Sequence, residues 1–401
     1  MTRGRLGPVI LALLLAPPGW ASAYDYTIPD RLNDGWETAS LESVKLNEGR
    51  LRALSEGIKN GTYKGIHSVL IVKDGKLVFE EYFPLEVGDR REQSLKRVAL
   101  APLYSVTKSV TSILVGIAID QAKIENVHQK ISTFFPEYAD LFDKSERKNL
   151  RLRDLLTMTS GQAWDEWSYP YTDPRNDHAK MVRDDNPIRY LLGRPLEAEP
   201  GGKFTYNSGL SLALGEILFK STGLRADKFA ARFLFEPLGI TDSYWMKYPD
   251  ALVETGGGLY LRPRDMAKLG QLFLNKGRWN GKQVVSEKWV EESTRNQLGS
   301  ARIPEGARAT GYGYLWWRTP FTSGERAVEC YSARGRGGQF IFVFPAQRMV
   351  AVFTGWNDNA LLFQPMDLVQ EHVVPAAMSW SKRAASRGFT AYWMLAAFTV
   401  R

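Results

Sequence analysis

The chain has 401 residues, of which 44% are apolar and 24% charged, with 12 Trp, 17 Tyr and 19 Phe. That is the composition of a globular protein with room for a large core, and it excludes a disordered, collagenous or membrane-bundle chain. Lys and Arg exceed Asp and Glu by 52 to 44, a net +8; no basic run carries interleaved aromatic residues, so no nucleic-acid partner is expected and the charges read as solvated surface.

The N-terminus reads as an export signal. Arg3 and Arg5 form a positive region, Val9 to Ala16 an apolar one, and Ala21-Ser22-Ala23 a small-residue cleavage site. Cleavage after Ala23 predicts a periplasmic or secreted protein with no stable membrane insertion once the signal is gone. It also lowers the net charge from +8 to +6, because the two Arg leave with no acid. One cysteine, Cys330, permits no intrachain disulfide and is expected to be a buried, inert thiol. His67, His128, His178 and His372 show no metal-ligand spacing, so neither a metal nor another cofactor is expected.

His67 to Phe83 predicts a β-hairpin, since two apolar runs flank Lys73-Asp74-Gly75-Lys76 and Asp-Gly suits a two-residue turn. Ser105 to Gln121 predicts a helix with an apolar face. Arg153 to Thr159, Leu210 to Thr222 and Pro263 to Asn275 predict three more, the last opening on Pro263 and stopping at Gly277. Asn280-Gly281 then makes a turn. Gln339 to Gly355 predicts a second hairpin, with two apolar runs around Pro345-Ala-Gln-Arg348. The tail from Phe389 to Val400 is apolar but too short to span a bilayer as a helix. It is expected to pack on the body or to trail as a disordered end.

Strands from both ends of the chain are expected to share one sheet. The predicted fold class is α+β, an α/β sandwich with an antiparallel sheet flanked by helices plus a mainly helical unit. Residues 1–23 are assigned to the signal peptide, 24–100 plus 295–380 to the sheet-containing part, 101–294 to the mainly helical part and 381–401 to the tail.

The pattern Ser-x-x-Lys occurs at Ser105–Lys108, Ser145–Lys148 and Ser379–Lys382, so the bare pattern decides nothing. Ser145 lies in a charge cluster, and Ser379 has little chain after it to enclose a site. Only Ser105 opens a long apolar helix. Residues three apart share a helix face, so Lys108 Nζ can reach Ser105 Oγ. The free N–H groups and dipole of a helix N-terminus favour a developing negative charge. A Lys withdrawn from water gives up its proton more readily and can take the serine proton. An N-terminal capping Ser with a surface Lys one turn on fits the helix equally well.

With further segments included, the sequence resembles the serine β-lactamase-like hydrolases: class C β-lactamases, DD-peptidases, related esterases and 6-aminohexanoate-dimer hydrolases. Ser-x-x-Lys is their nucleophile motif. Leu155-Leu-Thr-Met-Thr-Ser-Gly161, Phe204-Thr-Tyr206-Asn207-Ser208-Gly209, Tyr312-Gly-Tyr-Leu-Trp-Trp317 and Gly335-Arg336-Gly337-Gly338-Gln339-Phe340 follow in the family's order.

The resemblance implies a β-lactamase/transpeptidase-like fold and a serine hydrolase that cleaves a small-molecule or peptide-like amide or ester through an acyl-enzyme on Ser105. Lys108 and Tyr206 would move the protons, and backbone N–H groups of Ser105 and Arg336 would form the oxyanion hole. Ser208, Arg334, Gly337 and Gly338 are expected to contact substrate. The pattern departs from β-lactamases at two points: Ser208 stands where Tyr-x-Asn has Asn, and no Lys-Thr-Gly precedes the last motif's strand. This places the chain nearer the esterase and oligoamide-hydrolase branches. Two alternatives stay open: a DD-peptidase or β-lactamase acting on cell-wall peptides or β-lactams, and a non-catalytic protein of the same fold that binds cell-wall fragments. A Ser-His-Asp hydrolase fits poorly, as there is no G-x-S-x-G elbow.

Overall fold

The computed structural model describes residues 25–84, 97–143, 146–357 and 361–378. The signal peptide, Ser145, the Ser379–Lys382 match and the C-terminal tail lie outside the described residues.

One eight-stranded sheet organises the molecule. Its strands are β1 (Glu37–Thr38), β2 (Ile66–Lys73), β3 (Lys76–Tyr82), β4 (Gly311–Tyr312), β5 (Trp317–Arg318), β6 (Tyr331–Gly335), β7 (Gln339–Phe344) and β8 (Met349–Gly355), in spatial order β1-β3-β2-β8-β7-β6-β5-β4. All neighbours are antiparallel except β1 and β3. Strands from the two ends of the chain meet where β2 pairs with β8. The hairpin between β2 and β3 turns on Asp74 and Gly75, with φ of 54° and 80°, the left-handed pair that an Asp-Gly turn requires.

The central strands are buried on both faces, which explains their unbroken apolar runs. Val69 and Ile71 of β2 face a core shared with helix α1 (Glu48–Lys59), through Leu51, Leu54 and Ile58, and with the C-terminal helical segment. Leu70 and Val72 face the opposite way, into the larger core. That core is built from α2 (Val106–Asp120), α3 (Leu152–Leu156), α4 (Ser208–Thr222) and α5 (Pro263–Leu274).

Helix α5 falls in the central stretch of the sequence yet lies directly on β2, β7 and β8. A Cβ on its Gly270 would come within 2.5 Å of Val350 Cγ1 and 2.8 Å of Ile341 Cγ2, so glycine permits this close approach. Helix α2 is buried on every side from Val106 to Ala118 and packs against α4 and β6. Helix α3 ends at Leu156 rather than Thr159, because Met158 adopts a left-handed conformation with φ 59°.

Candidate active site

Ser105 stands at the N-terminus of α2. The residue before it, Tyr104, has φ 46°, an uncommon conformation for a residue with a side chain. This sharp turn joins the short strand Ala101–Pro102 to α2 and leaves Ser105 at the cleft surface. Lys108, one turn on, is only 2% exposed, which removes the surface-lysine alternative. Its Nζ donates to Ser105 Oγ at 3.0 Å and to the Gly256 carbonyl at 2.6 Å. The start of the apolar helix thus places a buried amine against a hydroxyl at the positive end of the helix dipole.

Tyr206 is the second partner. Lys108 Nζ lies 5.0 Å from the centre of its ring, and Trp317 stacks on it at 6.1 Å with an interplanar angle of 19°. Arg334 lies over the Trp317 ring at 5.1 Å. The phenol ring is therefore layered with Trp317, with Lys108 against the tyrosine and Arg334 against the tryptophan.

The motif from Leu155 to Gly161 supports Tyr206 from below. Met158 accepts from Thr205 N at 2.9 Å through its carbonyl, and its sulfur accepts from Asn207 N at 3.5 Å. Gly161, with φ 77°, lies so close to Ala198 that a Cβ would fall 2.1 Å from that carbonyl oxygen.

β6 closes the other wall. Gly335 packs against the turn before α2, where a Cβ would lie 2.3 Å from Leu103 O and 3.3 Å from Ser105 N. Gly335 and exposed Arg336 line the cleft beside Ser105. Gly337 and Gly338, expected to contact substrate, instead turn the chain from β6 into β7 with φ of 77° and 88°. Both are buried against the segment that follows β8, Gly337 O accepting from Asn357 N at 3.0 Å.

Ser208, also expected to contact substrate, faces a buried carboxylate. Its hydroxyl and its N–H both donate at 2.7 Å to Glu166, and it does not line the cleft. Glu166 is 1% exposed and also accepts from Trp164 Nε1 at 2.7 Å and Tyr171 OH at 2.9 Å. This carboxylate holds the first residue of α4, two positions after Tyr206. Nothing in the sequence marks the bond between Glu166 and Ser208, because the two residues lie 42 positions apart.

Arg334 does face the cleft, at 8% exposure. Its guanidinium donates to Ser332 Oγ at 3.0 Å, Ala307 O at 2.8 Å and Arg308 O at 3.3 Å. No carboxylate among the described residues forms an ion pair with it, and burial pushes its pKa down to about 9. Cys330 is buried as expected, and burial raises its thiol to about 12, outside the reactive range.

The cleft has a volume of about 780 Å³, and its walls are largely aromatic: Trp167, Tyr169, Tyr171, Phe204, Trp317 and Phe363. Trp167, 65% exposed, rests against the Tyr206 ring at 5.2 Å.

A partly exposed serine with a buried lysine at a helix start, beside the end of an antiparallel strand and a layered tyrosine, defines a serine hydrolase of the β-lactamase and penicillin-binding-protein class. The profile of the family described as Beta-lactamase matches residues 55–359, and the chain belongs to that family. It is 23% identical over 384 residues to a Salmonella heidelberg protein named "Putative D-alanyl-D-alanine carboxypeptidase", covering 82% of this chain and 87% of that one. Among solved structures, a "Putative 6-aminohexanoate-dimer hydrolase from Bacillus anthracis" superposes with a TM-score of 0.65 at 20% identity, covering 89% of this chain and 92% of the other. A penicillin-binding protein homologue from Caulobacter crescentus gives a TM-score of 0.65 at 16% identity, covering 88% and 100%. These structures share the fold. Among the described residues no helix is long and apolar enough to cross a membrane.

Proposed function

We propose that the protein hydrolyses an amide or ester bond through an acyl-enzyme on Ser105. The observation that carries this reading is the 3.0 Å contact between Ser105 Oγ and the buried Lys108 amine. The Lys108 amine accepts the hydroxyl proton as Ser105 Oγ attacks the substrate carbonyl. The N–H groups of Ser105 and Arg336 take the charge that develops on the carbonyl oxygen. Tyr206, beside the Lys108 amine, relays that proton from the Lys108 ammonium to the leaving group as the bond to it breaks, and the acyl-enzyme forms. Water then attacks the ester, the same groups returning the proton to Ser105.

The aromatic cleft suits a substrate with a substantial apolar part, and this favours esters or oligoamides over highly polar cell-wall fragments. The name of the Salmonella relative and the matched Beta-lactamase family favour a second reading, hydrolysis of D-alanyl peptides or β-lactams respectively; the absence of Lys-Thr-Gly before β7 opposes it. The export signal predicted from the sequence would place either activity in the periplasm or outside the cell.

A fluorophosphonate probe should label the protein, and Ser105→Ala should abolish labelling; label that persists in the variant overturns the assignment. Turnover of p-nitrophenyl butyrate well above that of nitrocefin or a D-alanyl-D-alanine peptide supports the ester reading, and the reverse order supports the second.

A further inference from the structure

A second buried carboxylate lies behind Lys108. Gly256, whose carbonyl holds Lys108 Nζ at 2.6 Å, donates its own N–H to Glu254 Oε1 at 2.8 Å. A Cβ on Gly256 would meet that oxygen at 2.9 Å and Ser208 O at 3.0 Å, so the backbone is closely confined here. Glu254 is 4% exposed; its other oxygen receives the Tyr248 hydroxyl and faces His178 Nε2 at 3.5 Å. The same loop is tied to α2 again by Thr111 Oγ1, which donates to Thr255 O at 2.8 Å. It is tied to α4 by Thr255 Oγ1, which donates to Ser211 O at 2.6 Å. Neither Glu254 nor His178 lines the cleft, so neither is placed to touch substrate.

We propose that Glu254, braced by Tyr248 and His178, is a positioning residue for Lys108. Through Gly256 it fixes the carbonyl that holds the amine, and its buried charge sets how readily that amine releases its proton. The inference rests on the reading of Ser105 and Lys108 as the acylation pair.

The charged and titratable groups around this pair come from several elements. Ser105 and Lys108 belong to the start of α2, Tyr206 to the turn before α4, and Glu254 and Tyr248 to the 248–258 segment. His178 comes from the short helix Asp177–Met181, with Tyr171 edge-on to its ring at 5.3 Å and Glu166 bonded behind Tyr171. The Glu254 carboxylate thus stands behind the carbonyl that holds the amine which accepts the serine proton. Burial pushes the Glu254 carboxyl upward, but the contacts from His178 and Tyr248 and the charge of Lys108 outweigh this and hold it below its usual value. Its negative charge is thus retained into the acid range.

Glu254→Gln keeps an oxygen for the Gly256 N–H and removes only the charge. The readout is the second-order rate of fluorophosphonate labelling of Ser105, followed from about pH 5 to about pH 9. The acid limb of that profile should move to lower pH by about one unit in Glu254→Gln. His178→Gln should move it the opposite way, because it removes the imidazole whose contact offsets the Glu254 charge.

A residue that merely braced the loop would lower the rate at every pH and leave the limb in place, and that result in both variants overturns the proposal. If Glu254→Gln does not fold, the direction of the His178→Gln shift decides alone: an upward shift supports the proposal, no shift or a downward one overturns it. Failure of the wild type to take any label overturns the underlying reading of Ser105 instead.

Discussion

Replacing Glu166 tests whether a buried carboxylate holds Tyr206 in place through α4. Its four contacts divide unevenly: Oε2 accepts from Trp164 Nε1 and the Ser208 N–H, which can only donate, whereas Oε1 accepts from the Tyr171 and Ser208 hydroxyls, which can also accept. In Glu166→Gln the amide NH₂ can therefore face the two hydroxyls while the amide oxygen keeps both N–H donors. Hydrogen bonds to a charged group contribute roughly 1.5–3 kcal/mol against about 0.5–1.5 for neutral pairs. Weakening all four, offset by the easier desolvation of an amide, should lower unfolding free energy by about 2 kcal/mol. Glu166→Ala leaves the Trp164 and Ser208 N–H groups buried without an acceptor, at roughly 1–3 kcal/mol each, and opens a cavity as well. Its loss should reach about 5 kcal/mol. Urea denaturation followed by tryptophan fluorescence measures both. Equal losses in the two variants, or a loss under about 1 kcal/mol for Ala, would refute the claim that these contacts hold the start of α4.

Three further outcomes are expected. Tyr206→Phe keeps the ring between Lys108 and Trp317, so it should fold normally while ester turnover falls about 10²- to 10⁴-fold; steady-state kinetics beside circular dichroism checks this. Gly161→Ala should lose roughly 3 kcal/mol or more in urea denaturation, since it adds left-handed strain to a clash with Ala198 O. Gly324→Ala, at φ 60° with open space around it, should lose only about 1 kcal/mol. The third concerns acid. A carboxyl held below its unfolded value of 4.5, as Glu254 is, contributes stability that is present above that value and lost as the pH falls through the folded one. Wild-type urea midpoints should therefore drop on acidification below about pH 4.5 more steeply than those of Glu254→Gln.

What the sequence made legible was written in short-range chemistry. Asp74-Gly75 specified a hairpin turn, Pro263 and Gly277 bracketed α5, and the apolar run after Ser105 located a buried helix. Each of those signals sits within a few residues of the feature it specifies. Glu166 and Glu254 carried no such signal, because the groups they position are brought in by packing: Ser208 to Glu166 from 42 residues away, and Lys108 to the Gly256 carbonyl from 148 residues away. The surroundings of Ser208, Gly337 and Gly338 were hidden for a related reason. Motif position puts all three near the cleft, but only the fold shows that the serine is turned to a buried carboxylate and the glycines shape a hairpin. Met158 ended α3 early through a left-handed backbone conformation that an apolar residue does not advertise.

The central claim is that Ser105 Oγ becomes covalently acylated. Acid-quenching the protein during turnover of p-nitrophenyl acetate and mapping the adduct by peptide mass spectrometry tests it directly. The account predicts one acetyl group on the peptide that contains Ser105, absent in Ser105→Ala and scarcely formed in Lys108→Ala. An acetyl group on any other residue, or turnover by Ser105→Ala at the wild-type rate, would contradict it.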